Sequence, residues 1–296
     1  MALSKTDVPG VWRLARVGLI THEASRLATF YERAFSGTVV SWEHRSGTAF
    51  ERLTHVRGGA QCVTVAIGDQ RVELWEFDQP GHPYPHDLPP YDVRFQHFAI
   101  VVADMAQAMS ALSNVEGWTP ISTAGPQHLP RRSGGATAFK FRDPEGHPLE
   151  LLAFAAGKAP DHRCRHSGQR VFLGIDHSAI SVENVRRSVT FYEDLGLKIV
   201  ARTLNHGLEQ QRLDGVVDPQ VDVIALAPEV ATPHVELLCY RSPSRAQSPP
   251  LRSNDVAATR LIFQAPSRAA ASIAHYYEHI IQDPDGHHLQ ITTVYE

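Results

Sequence analysis

Histidine and glutamate are the residues of this sequence that could do chemistry together. Histidine occurs 17 times, and an acidic or amide side chain recurs at one place of a repeated strand pattern. Those positions are Glu73 in RVELWEF, Glu150 in PLELLAF, Glu236 in HVELLCY and Gln290 in HLQITTV, and each closes a unit. The residues that open the units are Arg16, His97, His177 and Arg260, each at the head of an alternating apolar strand. Imidazole nitrogens and carboxylate oxygens suit borderline divalent ions, so a chain this rich in histidine with scattered glutamate invites a search for metal ligands.

Other polar residues read more plainly. His147 and His287 stand beside glycine in hairpin turns, where solvent or backbone is the usual partner. His162, Cys164 and His166 lie in a polar linker with no matching Cys/His motif elsewhere. Arg131 and Arg132 precede a glycine pair and could anchor a carboxylate or phosphate of a substrate, although such a tip is commonly solvated. The Pro-rich stretch holding His82, Tyr84, His86 and Tyr91 reads as a rigid crossover before it reads as a lid.

The elements that must position the histidines and glutamates come from an internal repeat. FKFRDPEGHPLELLAF at residues 139–154 alternates, turns tightly at Asp-Pro and Gly, and alternates again, the pattern of a hairpin. YEHIIQDPDGHHLQIT at 277–292 repeats it. RVGLITHEASRLATFYERAF and HSAISVENVRRSVTFYEDLG likewise match, a strand followed by a helix with Phe, Tyr and Leu on one face. HFAIVVADMAQAMSAL and RLIFQAPSRAAASI are further copies of the opening strand, giving four units. The opening and closing residues are nearly equally spaced in the first three units and about half as far apart in the fourth, which is cut short. Pro-, Gly- and Ser-rich breakers at 77–92, 155–170 and 240–255 separate the units, and the middle one divides the chain into halves of about 1–157 and 171–296.

Length and composition bound the function. A chain of 296 residues, 43% hydrophobic and 20% charged, is long enough for two domains. A net charge of -4 provides no basic field for nucleic acid or an anionic membrane surface, so a small-molecule substrate is the expected partner. The opening residues contain no uninterrupted apolar stretch, no segment is long enough to span a bilayer, and three scattered cysteines (Cys62, Cys164, Cys239) suit a reduced compartment. The expected location is the cytoplasm.

Units that open on histidine, carry a Phe-Tyr-Glu helix and close on DPEGHPLEL resemble the vicinal oxygen chelate (VOC) superfamily of glyoxalases, epimerases, extradiol dioxygenases and bleomycin resistance proteins. The resemblance covers nearly the whole chain. It implies an α+β fold of four βαβββ modules forming two VOC domains, 1–157 holding modules 1 and 2 and 171–296 holding modules 3 and 4, with the fourth module truncated. It also implies that paired modules curve into cups, with ligands from the first and last strands of each. Only modules 2 and 3 then keep both ligands. If modules pair in chain order, neither cup is a clean site. If module 2 pairs with 3 and module 1 with 4, one cup receives His97, Glu150, His177 and Glu236, and the other Arg16, Glu73, Arg260 and Gln290. Because arginine cannot ligate, the second arrangement is favoured. The degenerate cup, where guanidinium groups can stand in for a metal's charge against Glu73, is structural or regulatory.

Three functions follow from that set. The first is a glyoxalase- or epimerase-like lyase or isomerase, in which a divalent ion (Ni, Zn, Co, Mn or Fe) chelates vicinal oxygens and Glu150 or Glu236 moves a proton. The second is an extradiol, catechol-cleaving dioxygenase with Fe(II); against it, such enzymes take their ligands from the C-terminal half, where Arg260 and Gln290 stand here. The third is a metal-free binding or resistance protein. A homodimer is a reasonable assembly if truncation of module 4 exposes a sheet edge.

Overall fold

Alternating apolar residues set strand beside helix in the first three units, and the two repeated motifs tie the units together. The computed structural model describes residues 10–155, 170–230, 233–243, 249–266 and 278–294. The linker trio His162, Cys164 and His166 lies outside the described residues. Module 1 comprises β1 (Arg13–Thr21), α1 (Ala24–Phe35), β2 (Thr38–Arg45), α2 (Thr48–Thr54), β3 (Ala60–Ile67) and β4 (Gln70–Phe77). Module 2 comprises β5 (Gln96–Val102), α3 (Met105–Ser113), the stubs β6 (Thr119–Pro120) and β7 (Gln127–His128), a 3-10 turn (Arg131–Ser133), β8 (Thr137–Arg142) and β9 (Pro148–Ala153). Module 3 comprises β10 (Phe172–Ser181), α4 (Val185–Asp194), β11 (Lys198–His206), α5 (Leu208–Asp214), β12 (Gln220–Ala227) and β13 (His234–Ser242). Module 4 contributes β14 (Arg260–Pro266), β15 (Glu278–Gln282) and β16 (His288–Val294) among the described residues.

The strands form two sheets. One runs β15-β16-β14-β1-β4-β3-β2 and joins module 4 to module 1. The other runs β11-β12-β13-β10-β5-β9-β8-β6, with β7 on β8, and joins module 3 to module 2. Each module therefore pairs across the two halves of the chain, through antiparallel contact of opening strands: β1 with β14 and β5 with β10. The helix-bearing cores follow a different rule. Leu27, Tyr31 and Phe35 of α1 pack with Phe98, Ile100, Phe139 and Phe141 of module 2, while Val189 and Tyr192 of α4 pack with Leu261, Phe263 and Leu289 of module 4. Burying such side chains contributes about 1.5–3 kcal/mol each.

The Phe-Tyr-Glu helices and the Asp-Pro-X-Gly-His turns recognise each other. Tyr31 Oη donates to Asp143 Oδ2 at 3.2 Å, and Tyr192 Oη donates to Asp283 Oδ2 at 3.1 Å. Burial, reinforced by the neighbouring aspartate, raises both tyrosine pKa values well above normal. His147 and His287, for which solvent was one expected partner, are buried. His147 Nε2 reaches the Ile20 carbonyl at 2.9 Å and its Nδ1 lies 2.8 Å from Asp143 Oδ2. His287 Nε2 reaches the Ser181 carbonyl at 2.9 Å. Each turn thus clasps a module to the opening strand of its neighbour. The Pro-rich crossover is clamped too, with Tyr84 buried edge-on to His147 at 5.9 Å.

Both partners of the His147 ring are acceptors, so both nitrogens must donate and the ring is an imidazolium. Burial alone would lower its pKa, but the Asp143 charge and hydrogen bond overcome this and raise it. A raised folded-state value means that the charged clasp contributes fully below the unfolded histidine pKa, about 6.5, and fades as pH rises through the folded value. His147→Gln is expected to cost about 1.5–3 kcal/mol at pH 6. Thermal melts of variant and wild type should converge as pH is raised toward 9; a constant gap would contradict the charged clasp.

Candidate metal centre

The four opening residues and four closing residues occupy one register. In each parallel pair of opening and closing strands, the closing residue stands beside the residue two places after the opening one: Gly18 beside Glu73, Ala99 beside Glu150, Ala179 beside Glu236 and Ile262 beside Gln290. Opening residues also face the same positions of their antiparallel partners, His97 opposite Ala179 and His177 opposite Ala99, as Arg16 is opposite Ile262 and Arg260 opposite Gly18. Strand alternation then directs each set onto one sheet face. Two cups result, related by the repeat.

In the cup of modules 2 and 3, His97 Nε2 lies 3.1 Å from Glu150 Oε2, and His177 Nε2 lies 3.4 Å from the same oxygen. Glu236 Oε2 is 3.7 Å from His177 Nε2, and Glu236 Oε1 is 3.4 Å from His234 Nε2. The ligand atoms of His97, Glu150 and His177 all fall within 4.8 Å of one another. Among the described residues His177 Nε2 is buried without a hydrogen-bond partner, although it sits between two carboxylates. An orphaned imidazole nitrogen converging with a second imidazole and two carboxylates fits a divalent ion with N/O ligands.

Electrostatics support that fit. Burial and the nearby Lys140 charge lower the His97 pKa, which favours the neutral ring that ligation needs. Burial would raise Glu150, yet the close His177 and His97 imidazoles and the Lys140 charge hold it well below the ordinary range. Glu236 is also lowered: burial opposes ionisation, but the His177 charge and the His234 hydrogen bond outweigh it. Burial lowers His177, yet Glu236, Asp176 and Glu150 together push it well upward, which marks a position that attracts positive charge.

Asp176 was not foreseen from sequence. Its Oδ2 lies 3.1 Å from His177 Nδ1, so the carboxylate fixes the ring with Nε2 turned toward Glu150. The strand register shifts between Ile175 and His177, and the same shift occurs in β1 between Leu14 and Arg16. At such a bulge the extra residue breaks alternation, so Ile175 joins the helix-side core while both Asp176 and His177 line the cup. The sequence signal is a change of phase in FLGIDHSAIS, where buried core residues move from odd Ile175 to even Ile180. His234, paired with His177 across the strands, and Lys140, paired with Glu150, are site residues that sequence reading also passed over.

The cavity over these residues measures about 350 Å³ and is walled by apolar side chains including Leu129, Leu152, Phe154, Val223 and Leu238. Arg131 and Arg132, the candidate substrate anchors, are exposed on the 3-10 turn, and Ser133 and Gly134 line the cavity in their place. Arg132 Nη2 reaches the His206 carbonyl at 3.5 Å.

The other cup brings Arg16, Glu73, Arg260 and Gln290 to the equivalent register, and among the described residues it holds no set of metal ligands. Arg16 Nε pairs with Glu73 Oε1 at 2.9 Å, and Trp75 Nε1 donates to Glu73 Oε2 at 3.0 Å. Arg260 is fully buried over the Trp75 ring, 5.0 Å from its centroid, and burial lowers its pKa to about 10. Gln290 Nε2 donates to Glu278, which also pairs with Arg45.

Comparison with known proteins bears on the family and the fold. The family model described as glyoxalase/bleomycin resistance protein/dioxygenase superfamily matches residues 13–151 and 174–291. No curated protein matches the sequence. Among solved structures, glyoxalase I from Zea mays superposes with a TM-score of 0.56 at 15% identity, covering 95% of this chain and 92% of that one. A candidate dioxygenase from Bacillus subtilis superposes with a TM-score of 0.54 at 12% identity, covering 96% and 86%. At these identities the likeness is one of fold.

Proposed function

Because the chain belongs to the glyoxalase/bleomycin resistance protein/dioxygenase superfamily, we propose that it is a metal-dependent lyase or isomerase of glyoxalase or epimerase type. His97, Glu150, His177 and Glu236 would hold the ion. The observation that carries this reading is the convergence of His97, Glu150 and His177 around an orphaned imidazole nitrogen. A divalent ion bound there supplies Lewis acidity toward two vicinal substrate oxygens. Glu150 is the fixed carboxylate, gripped by two imidazoles and faced by Lys140. Glu236 is the mobile one, with longer contacts and a side chain 23% exposed, and it acts as general base toward a C–H beside the substrate carbonyl. Asp176 and His234 orient His177 and Glu236, and the apolar walls keep water from the carbanionic product of that transfer.

A second reading rests on the same triplet. His97, Glu150 and His177 are two histidines and one carboxylate, the set used by non-haem Fe(II) oxygenases, and Glu236 then belongs to His234. Elemental analysis of protein purified without added metal separates the readings. Near-stoichiometric Ni, Zn, Co or Mn, at one ion per chain and lost in His97→Ala, supports proton transfer. Iron with catechol-dependent oxygen uptake supports the oxygenase. Two ions per chain would contradict the assignment of Arg16, Glu73, Arg260 and Gln290 as a non-ligating cup, and no ion even on supplementation would end both metal readings.

A further inference from the structure

The floor of the cavity carries a second polar group beside the metal ligands, made by residues the proton transfer does not use. Lys140 stands directly across the β8/β9 pair from Glu150, so its side chain rises from the same face. Its Nζ donates to Asp214 Oδ1 at 2.8 Å. Asp214, at the end of α5, also accepts from Gln210 Nε2 at 2.7 Å and from Tyr240 Oη at 2.8 Å, both on Oδ2. Lys140, Gln210 and Tyr240 all line the cavity.

This network satisfies Asp214 and leaves its partners unfinished. An ammonium group has three donors, and one of them is used here. Gln210 Nε2 is committed to Asp214, which fixes the amide orientation, and among the described residues Gln210 Oε1 is left buried without a hydrogen-bond partner. A buried unpaired acceptor costs free energy until something donates to it. A cation with spare donors in a cavity walled by apolar side chains favours an anionic oxygen. The two requirements are met by one head group, a carboxylate for Lys140 with a neighbouring hydroxyl that donates to Gln210. The surrounding Leu129, Leu152, Leu213 and Val223 ask for an apolar body behind it.

We infer that Lys140 and Gln210, held in place by Asp214 with Tyr240 behind it, form an acid-binding subsite, and that the substrate is an apolar 2-hydroxy acid or a close relative. This deepens the enzymatic reading above and rests on its cavity, not on its metal. The test is calorimetric titration of the full chain, metal-loaded and chelator-treated, with 2-hydroxyhexanoate, its methyl ester and hexanoate. Wild type should bind the hydroxy acid at least about tenfold more tightly than the ester in both states, as expected for a charge-assisted hydrogen bond. The double variant Lys140→Met/Asp214→Asn, which removes both charges together, should lose that preference. Gln210→Leu should lose the preference for hydroxyhexanoate over hexanoate.

Acid preference that survives in the double variant would place the carboxylate on the metal and overturn the subsite. So would absence of preference in chelator-treated wild type, a comparison that needs no variant to fold. If the chain takes up no metal yet wild type retains a Lys140-dependent preference, the metal reading fails and the subsite stands.

Discussion

Glu236→Gln is expected to lower kcat by about 10²–10⁴-fold, the range for loss of a general base, while metal content stays near that of wild type. The asymmetry between the two carboxylates motivates this. Glu150 Oε2 is within 3.4 Å of both imidazole Nε2 atoms and buried, so it is built to hold. Glu236 keeps 3.4 Å from His234 and 3.7 Å from His177, so little must be broken for it to swing toward a substrate proton. Glutamine keeps size and one coordinating oxygen but has no basic form. Deuterium incorporation from heavy water at the C–H beside the carboxyl group of 2-hydroxyhexanoate, measured with elemental analysis on the same samples, reads both quantities. Glu150→Gln should instead lose metal and exchange together. If Glu236→Gln keeps full exchange, Glu236 is not the base; if it loses metal as completely as Glu150→Gln, its role is that of a fixed ligand.

Much of this arrangement was legible because it is written in repeated residue types. His97, Glu150, His177 and Glu236 could be proposed together once the aligned repeat was read through the family resemblance, and the observed register sets them around one cup. The pairing of modules across the chain was legible only through chemistry, as the arrangement that kept arginine away from the ligands. Asp176 was hidden because a bulge suspends the alternation on which such reading depends, and module 1 carries Ala15 at the corresponding place. Lys140 was hidden for another reason. It sits in a strand whose apolar neighbours Phe139 and Phe141 declare the core face, and a lone lysine on the opposite face reads as solvated until β11, β12 and α5 are known to build a wall over it. Its partner Asp214 is remote in sequence and belongs to another module.

That remote pairing sets the other large effect, on stability. Lys140→Met is expected to destabilise the protein by about 3–5 kcal/mol, the range for removing one partner of a buried ion pair. The Lys140 and Asp214 side chains are 6% and 0% exposed, and methionine would leave the Asp214 carboxylate with only Gln210 and Tyr240 as donors. The cost falls on the charge left behind, since methionine fills most of the lysine volume. Restoring neutrality should therefore recover most of the loss, and Lys140→Met/Asp214→Asn should unfold closer to wild type than either single variant does. A loss of this size is a large part of the 5–15 kcal/mol that holds a typical domain, so the single variant should show an early denaturant midpoint with an unchanged slope. Near-equal midpoints for the single and double variants would mean that water reaches Asp214 and that the pair is not desolvated. The Lys140 bridge also joins β8 of module 2 to α5 of module 3. Its loss loosens the two modules that share the candidate metal centre, so metal retention in the single variant should fall with stability and return in the double.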